Sequence, residues 1–290
     1  MTDLLITDPL ADANTMRLRS TGLTTRALAA ALVVSAVSAQ TTAPSTPTRG
    51  EPIVSVWYRG NPAGTPRQSD LGAIRALGFN GVTWPKSTAS AEAELKRLAD
   101  RVGLTPEIIE TPAPVTAESA LKPGERVDIA VGAGNGSNIP ALAWRATGHG
   151  ARTIAFDSGD RAGAGLDEKD GSLKPWARAA IAIARQLTGN SRLVSILKPG
   201  PGILLSPPNA PGLDVVMLDG QRTWVVVATN TSAATLASSA RLPAGAPYAM
   251  WISWADGATL AMIDEPAGPR WNFQIGPGTA RVYMIDKVIK

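Results

Sequence analysis

Apolar positions recur along this chain in two rhythms, and the change between them falls in the proline-rich stretch Ser206 to Gly212. Before it, short β-branched or aromatic runs alternate with stretches whose apolar residues return every three or four positions. Ile53 to Tyr58 predicts a strand. Asp70 then opens a segment in which Leu71, Ile74 and Leu77 share one helical face, and Gly78 stops it. Asn80 to Trp84 predicts a second strand, closed by Pro85. Ala91 to Val102 predicts a helix with Leu95, Leu98 and Val102 inward, and Gly103 ends it. Pro106 to Glu110 predicts a third strand, and the proline-bearing stretch Thr111 to Glu125 predicts a loop.

The most ordered pattern runs from Val127 to Asp160. Val127, Ile129 and Val131 predict a strand and Gly132 to Asn138 a glycine-rich turn. Ile139, Leu142, Ala143 and Ala146 predict a helix with Pro140 in its first turn, and Ile154 to Phe156 a further strand. A strand–helix–strand unit this short needs a right-handed crossover and a parallel sheet, so this part of the chain reads as α/β. Trp176 to Leu187 adds a strong helix between Pro175 and Gly189. Ligands of such sheets bind beyond the carboxyl ends of the strands, which puts Gly132 to Asn138 and Asp157 to Asp160 on one working face.

After the proline-rich stretch the period shortens to two. VVMLD, TWVVVATN, YAMWISW, ATLAMI, WNFQIG and ARVYMI alternate with turn signals such as Asp219-Gly220 and Asp256-Gly257. Regularly spaced short strands without helices predict an all-β sandwich. The organisation expected is therefore an N-terminal extension and signal peptide over residues 1–39, a flexible linker over 40–51, a (β/α) domain over 52–205 and a β-sandwich over 212–290.

Composition changes this picture at the N-terminus. Arg17, Arg19 and Arg26 precede the apolar stretch Leu28 to Val37, and Val37-Ser38-Ala39 offers small residues for cleavage. The pattern predicts export, to a secreted or periplasmic location, with Met16 as the start. The apolar run is about half of what spans a bilayer, so no stable membrane span is expected after signal removal. QTTAPSTPTRG then predicts a flexible linker. Net charge is +4 with scattered Lys and Arg, which gives no nucleic-acid signature, and the absence of cysteine excludes disulfides and thiolate metal sites. His149 sits at a helix end, where a capping role is expected, and no zinc site or other metal is predicted.

Two resemblances follow from these segments. Gly132-Ala133-Gly134-Asn135-Gly136 after a strand and before a helix, with Asp157 ending the next strand, resembles the nucleotide-binding turn of class I methyltransferases. That resemblance implies S-adenosylmethionine. The dinucleotide form fails because Ser137 stands where the last glycine should be, and only one helix follows before the all-β texture begins.

The wider resemblance is to glycoside hydrolases. IVSVWYRG, GFNGVTWP and TPEIIE with their helices look like the first three βα units of a (β/α)8 barrel. PALAWRATGHGARTIAFDSGD with PWARAAIAIARQL resembles the last two units in the β-galactosidase-like families, and VVVATNTS, RLPAG, WADG and GPGTARVYMI resemble the small sandwich that closes such enzymes. The fold implied is a shortened (β/α) TIM-barrel-like domain followed by a small C-terminal antiparallel β-sandwich. Eight units need about 250 residues, and residues 52–198 are too few for them. The middle of the barrel, with the family's acid/base Asn-Glu pair, has no counterpart. The strand from Val127 to Val131 lacks a terminal Glu where the family's nucleophile would sit.

A glycosidase needs two carboxylates across the scissile bond. The strand-end acids that could serve are Asp157, Glu110 and Asp160, with Glu107 inside its strand. Asp157 and Glu110 read more readily as turn or cap residues. Trp57, Tyr58, Arg59 and Trp84 at strand ends, with Asn135 in the turn, are the candidate sugar-binding residues, by aromatic stacking and donation to hydroxyls. Trp57 and Trp84 are equally readable as plugs of a barrel mouth. Trp251, Trp254 and Trp271 read as sandwich packing or as a carbohydrate face. The partner expected is an oligosaccharide or polysaccharide, with no cofactor. The activity expected is glycoside hydrolysis, or carbohydrate binding on a scaffold that no longer catalyses.

Overall fold

The computed structural model describes residues 50–112, 114–116, 119–131, 138–208, 210–244, 250–254 and 261–287. The expected signal peptide, most of the linker, the glycine run and Asn135 lie outside the described residues. Strands β1 (Ile53–Trp57), β2 (Gly81–Pro85), β3 (Thr105–Ile109), β4 (Arg126–Ala130) and β5 (Thr153–Asp157) form one sheet. They alternate with helices α1 (Gln68–Ala76), α2 (Ala89–Val102) and α3 (Ile139–Gly148), and α4 (Pro175–Gly189) follows β5. The helices begin and end where local chemistry stops them. The Thr88 hydroxyl accepts the Ala91 N–H at the start of α2, and Gly103, at φ 73°, closes it in the left-handed region.

The strand order is β3-β2-β1-β5-β4 and every pair is parallel. The first strand therefore lies beside the last, which is the neighbour relation of a closing barrel. The edges β3 and β4 do not pair as strands, so the sheet is open.

Side chains alternate across a strand, and here the alternation separates two kinds of chemistry. Val54, Val56, Val82, Trp84, Val127, Ile129, Ile154 and Phe156 join one core with Leu71 and Ile74 of α1 and Leu95 and Leu98 of α2. Ile139 and Ala143 of α3 and Ile181 and Ile183 of α4 belong to the same core. All four helices thus cover one face of the sheet. A doubly wound sheet carries helices on both faces; this arrangement is consistent with a partial barrel.

After α5 (Ser191–Ile196) the chain enters two antiparallel sheets. One runs β11 (Met250–Ser253), β13 (Ala280–Asp286), β9 (Thr223–Asn230), β8 (Leu213–Asp219) and β6 (Lys198–Pro199). The other runs β12 (Arg270–Ile275), β10 (Leu236–Arg241) and β7 (Leu204–Ser206). Val226, Ala228 and Ile285 of the first sheet meet Ala240, Trp271 and Phe273 of the second in a shared core. The opposite side of the first sheet packs on the helices: Val225, Val227 and Leu218 belong to the helix-facing core. A Cβ on Gly148 of α3 would lie 3.1 Å from Val216 Cγ2, so a side chain there would press on the sheet and Val216 would have to give by a few tenths of an ångström.

The chain reaches the antiparallel sheets at residue 198, ahead of the proline-rich stretch. The strand β10 was not expected, because LASSAR lacks an apolar rhythm. Its inward positions are filled by Ser238 and Ala240, both buried.

Candidate functional site

The face of the parallel sheet that carries no helix is polar and nearly closed to solvent. Ser55, Thr83, Asp128, Thr153 and Asp157 are all buried, as is Trp57. Register aligns Trp57 with Thr83 and Thr83 with Glu107 on one flank, and Ala130 with Asp157 on the other. Buried polar groups must find partners, and a partly satisfied network is worse than none.

Arg126 serves two of these groups, Thr83 and Asp128, and Glu107 beside them. Its guanidinium pairs with Glu107, with Asp128 at 2.6 Å and with the Thr83 hydroxyl at 2.9 Å. Glu107 also accepts from the Thr153 hydroxyl at 2.9 Å. The Trp57 indole N–H donates to Asp128 Oδ1 at 2.9 Å, and Ser55 Oγ lies 2.9 Å from Thr83 Oγ1.

At the carboxyl ends of the strands the chemistry continues outward. Arg59 follows β1 and pairs with Asp157, the last residue of β5, at 2.8 Å. Asp157 Oδ1 also accepts the Gly159 N–H at 2.9 Å, which ties the carboxylate to its own loop. Arg59 Nη1 is buried without a hydrogen-bond partner among the described residues. Gly60 turns the chain just past Arg59, at φ 74°. A Cβ there would sit 2.7 Å from the Thr65 carbonyl oxygen and 2.8 Å from the Trp84 ring.

Each of the expected catalytic carboxylates has a cation of its own. Asp157 pairs with Arg59, Glu110 with Lys86 at 2.5 Å and Asp160 with Lys174 at 2.9 Å. Glu110 is exposed to solvent, Asp160 is half-exposed and Asp157 is buried.

The expected sugar-binding residues divide across the sheet. Tyr58 and Trp84 sit in the helix-facing core, with ring centroids 5.4 Å apart. The Tyr58 hydroxyl donates to Asp70 at 2.7 Å and accepts the Arg67 N–H at 3.0 Å, which pins the start of α1. Burial, followed by the bond to Asp70, pushes the Tyr58 hydroxyl far above its ordinary pKa. Both side chains are enclosed on the helix side of the sheet, so Trp84 packs there and does not plug a barrel mouth, and neither ring offers a face to solvent. Trp57 lies on the polar face, but its ring is flanked by the Arg59 and Arg126 guanidiniums, at 5.2 and 5.7 Å from the centroid. Of the expected sugar-binding residues that are described, Arg59 is the one at the carboxyl end of the sheet, beside Asp157.

Sequence reasoning passed over Arg126 and Asp128. Both lie inside β4, where a charged pair two residues apart on one face of a strand signals a buried or ligand-facing partnership. His149 does cap α3, and its Nε2 meets Asp214 of β8 at 2.7 Å, with Arg145 on the same carboxylate at 3.0 Å. Burial raises the Asp214 pKa, but the bonds and charges of His149 and Arg145 outweigh it and hold the group below its ordinary value. Trp254 packs on Trp144 of α3 at 5.5 Å, and Trp271 is buried in the sandwich core; the side chain of Trp251 lies outside the described set. No group of three or more His, Asp or Glu side chains suited to a metal occurs among the described residues. No helix among them is long and apolar enough to cross a membrane.

No protein-family model matches this sequence, and no curated protein matches it. Among solved structures it aligns with glycoside hydrolases. The α-amylase of Geobacillus thermoleovorans, solved with acarbose, is 10% identical with a TM-score of 0.40 over 76% of this chain and 63% of its own. The family 30 subfamily 8 xylanase of Clostridium acetobutylicum is 13% identical with a TM-score of 0.36 over 76% and 70%. An AmyP variant solved with maltotriose is 10% identical with a TM-score of 0.49 over 83% and 98%. The chain thus spans less than two thirds of the amylase, and at these values no family is identified.

Proposed function

We propose that this is an exported carbohydrate-binding protein, built on an open arc of a glycosidase-like barrel and closed by a β-sandwich. On this reading the carboxyl end of the parallel sheet recognises sugar without cleaving it. The observation that carries the reading is the distribution of ion pairs. Hydrolysis needs two carboxyl groups facing one bond, about 5 to 9.5 Å apart. Glu107 and Asp128 share the helix-free face, but Arg126 bonds to both and fills the space a scissile bond would need. Asp157, Glu110 and Asp160 are each held by a separate cation.

Such pairs suit recognition. A guanidinium beside a carboxylate offers donors and acceptors in fixed geometry, and neighbouring sugar hydroxyls can both give and accept. Arg59, with one buried nitrogen still unbonded among the described residues, is the principal donor. Asn135 is the proposed partner from the glycine turn. Hydrolysis is the second reading, and Asp157 at a strand end favours it, with Glu110 or Asp160 as the partner acid.

Calorimetric titration with a panel of oligosaccharides, paired with a reducing-end assay, tests this. At least one sugar is expected to bind, with affinity reduced about tenfold (~1.4 kcal/mol) in Arg59→Ala. No new reducing ends are expected. Silence across the panel would remove the binding reading, and released reducing ends would install the enzymatic one.

A further inference from the structure

The opposite end of the parallel sheet holds a cavity of about 330 Å³. Pro52 before β1, Pro123 before β4 and Arg152 before β5 line it at the strand starts. Five-residue strands set it roughly 16 Å from the Arg59–Asp157 mouth, at about 3.3 Å per residue. Its walls are mostly apolar, including Leu121, Val194, Leu197, Val216 and Leu218.

The polar side chains in the wall are already engaged. Thr147 donates to the Ala143 carbonyl, Ser195 to the Arg192 carbonyl, and His149 Nε2 meets Asp214. The carbonyls at the end of α3 are also taken, by the N–H groups of His149, Gly150 and Ala151. These hydroxyls can still accept a bond, but none of these groups is an anion that would hold a cationic head group. Two cations remain: Arg152 and Lys198 line the cavity and are exposed, and neither side chain is paired among the described residues. No Asp or Glu lines it among the described residues.

An apolar interior with two unpaired cations and no acid is complementary to one ligand class. We propose that this cavity binds an amphipathic organic acid, a medium-chain or aryl carboxylate, with its apolar body inside and its carboxylate on Arg152 and Lys198. Its volume lies in the range that encloses small ligands, and carboxylate–guanidinium bonds are the strong, charge-assisted kind. The site is separate from the sugar-recognising face and does not rest on it.

Decanoate, decanol and decyltrimethylammonium, titrated into the full chain by calorimetry, decide the matter. Decanoate is expected to bind at least about tenfold more tightly than decanol, with no binding of the cation. The double variant Arg152→Glu with Lys198→Glu is expected to lose that preference, while Ser195→Trp, which fills the cavity, loses both ligands. The charge reversal changes only exposed side chains, so it remains decisive if the tryptophan variant fails to fold. Absence of decanoate binding, equal binding of decanol, or an undiminished response in the charge-reversed protein would each overturn the proposal.

Discussion

The two faces of the parallel sheet are made by alternate residues of the same five strands, yet they do opposite work. Toward the helices lie Val54, Val56, Val82, Ile129 and Phe156, which need only be apolar and of the right size. Away from the helices lie Ser55, Thr83, Asp128 and Thr153, all buried, with Arg126 and Glu107 completing their bonds. The first face supplies burial energy, whereas the second spends it, since desolvating a charged pair often outweighs its attraction. A helix-free polar face is unexpected in a fold that seeks only stability. On the proposed reading it is the part of the molecule kept for recognition.

Substitutions separate the two faces. Phe156→Ala removes a fully buried ring from the helix side and is expected to destabilise the protein by about 3–5 kcal/mol, read by chemical denaturation. Arg126→Met leaves two carboxylates without their shared cation. It is expected to destabilise by roughly 2–3 kcal/mol, below the full value for a buried pair because Arg126 and Glu107 retain some solvent. The further substitution Asp128→Asn in that background should recover part of the loss. If Arg126→Met proves neutral, the shared cation is not what holds the polar face together.

A smaller effect is expected outside both faces, at the clasp of Asp214 with His149 and Arg145. The native state holds the Asp214 pKa below its ordinary value, so its contribution is present above the unfolded pKa and lost as pH falls through the folded one. Stability should therefore decline on acidification below about pH 4, the ordinary carboxylate range. In Asp214→Asn that part of the decline should vanish, at a loss near neutrality of about 1 kcal/mol. An identical acid limb in the variant would remove Asp214 from the account.

The helix-facing side was legible in the sequence because burial against helices imposes a period that a single chain displays. The strands, the helices, the parallel pairing and the place of Asp157 at a strand end all follow from that period. What escaped was chemistry across strands. Tyr58 and Trp84 read as mouth residues because strand ends are where ligands bind, but alternation turned both toward the helices. Arg126 and Glu107 sit on strands at opposite edges of the sheet, and only the curl of that sheet lets one guanidinium reach both Glu107 and Asp128. β10 escaped for a related reason: a strand whose inward side chains are Ser238 and Ala240 leaves no apolar signal.

The central claim is that the carboxyl end of the parallel sheet recognises carbohydrate and does no hydrolysis, and Asp157→Asn tests it most directly. Titrating the wild type and this variant with the same oligosaccharide, while chromatography follows chain length, should show intact sugar in both, with affinity lowered about tenfold or more in the variant. Shortened sugar from the wild type that is absent from the variant would contradict the claim and make Asp157 a catalytic acid.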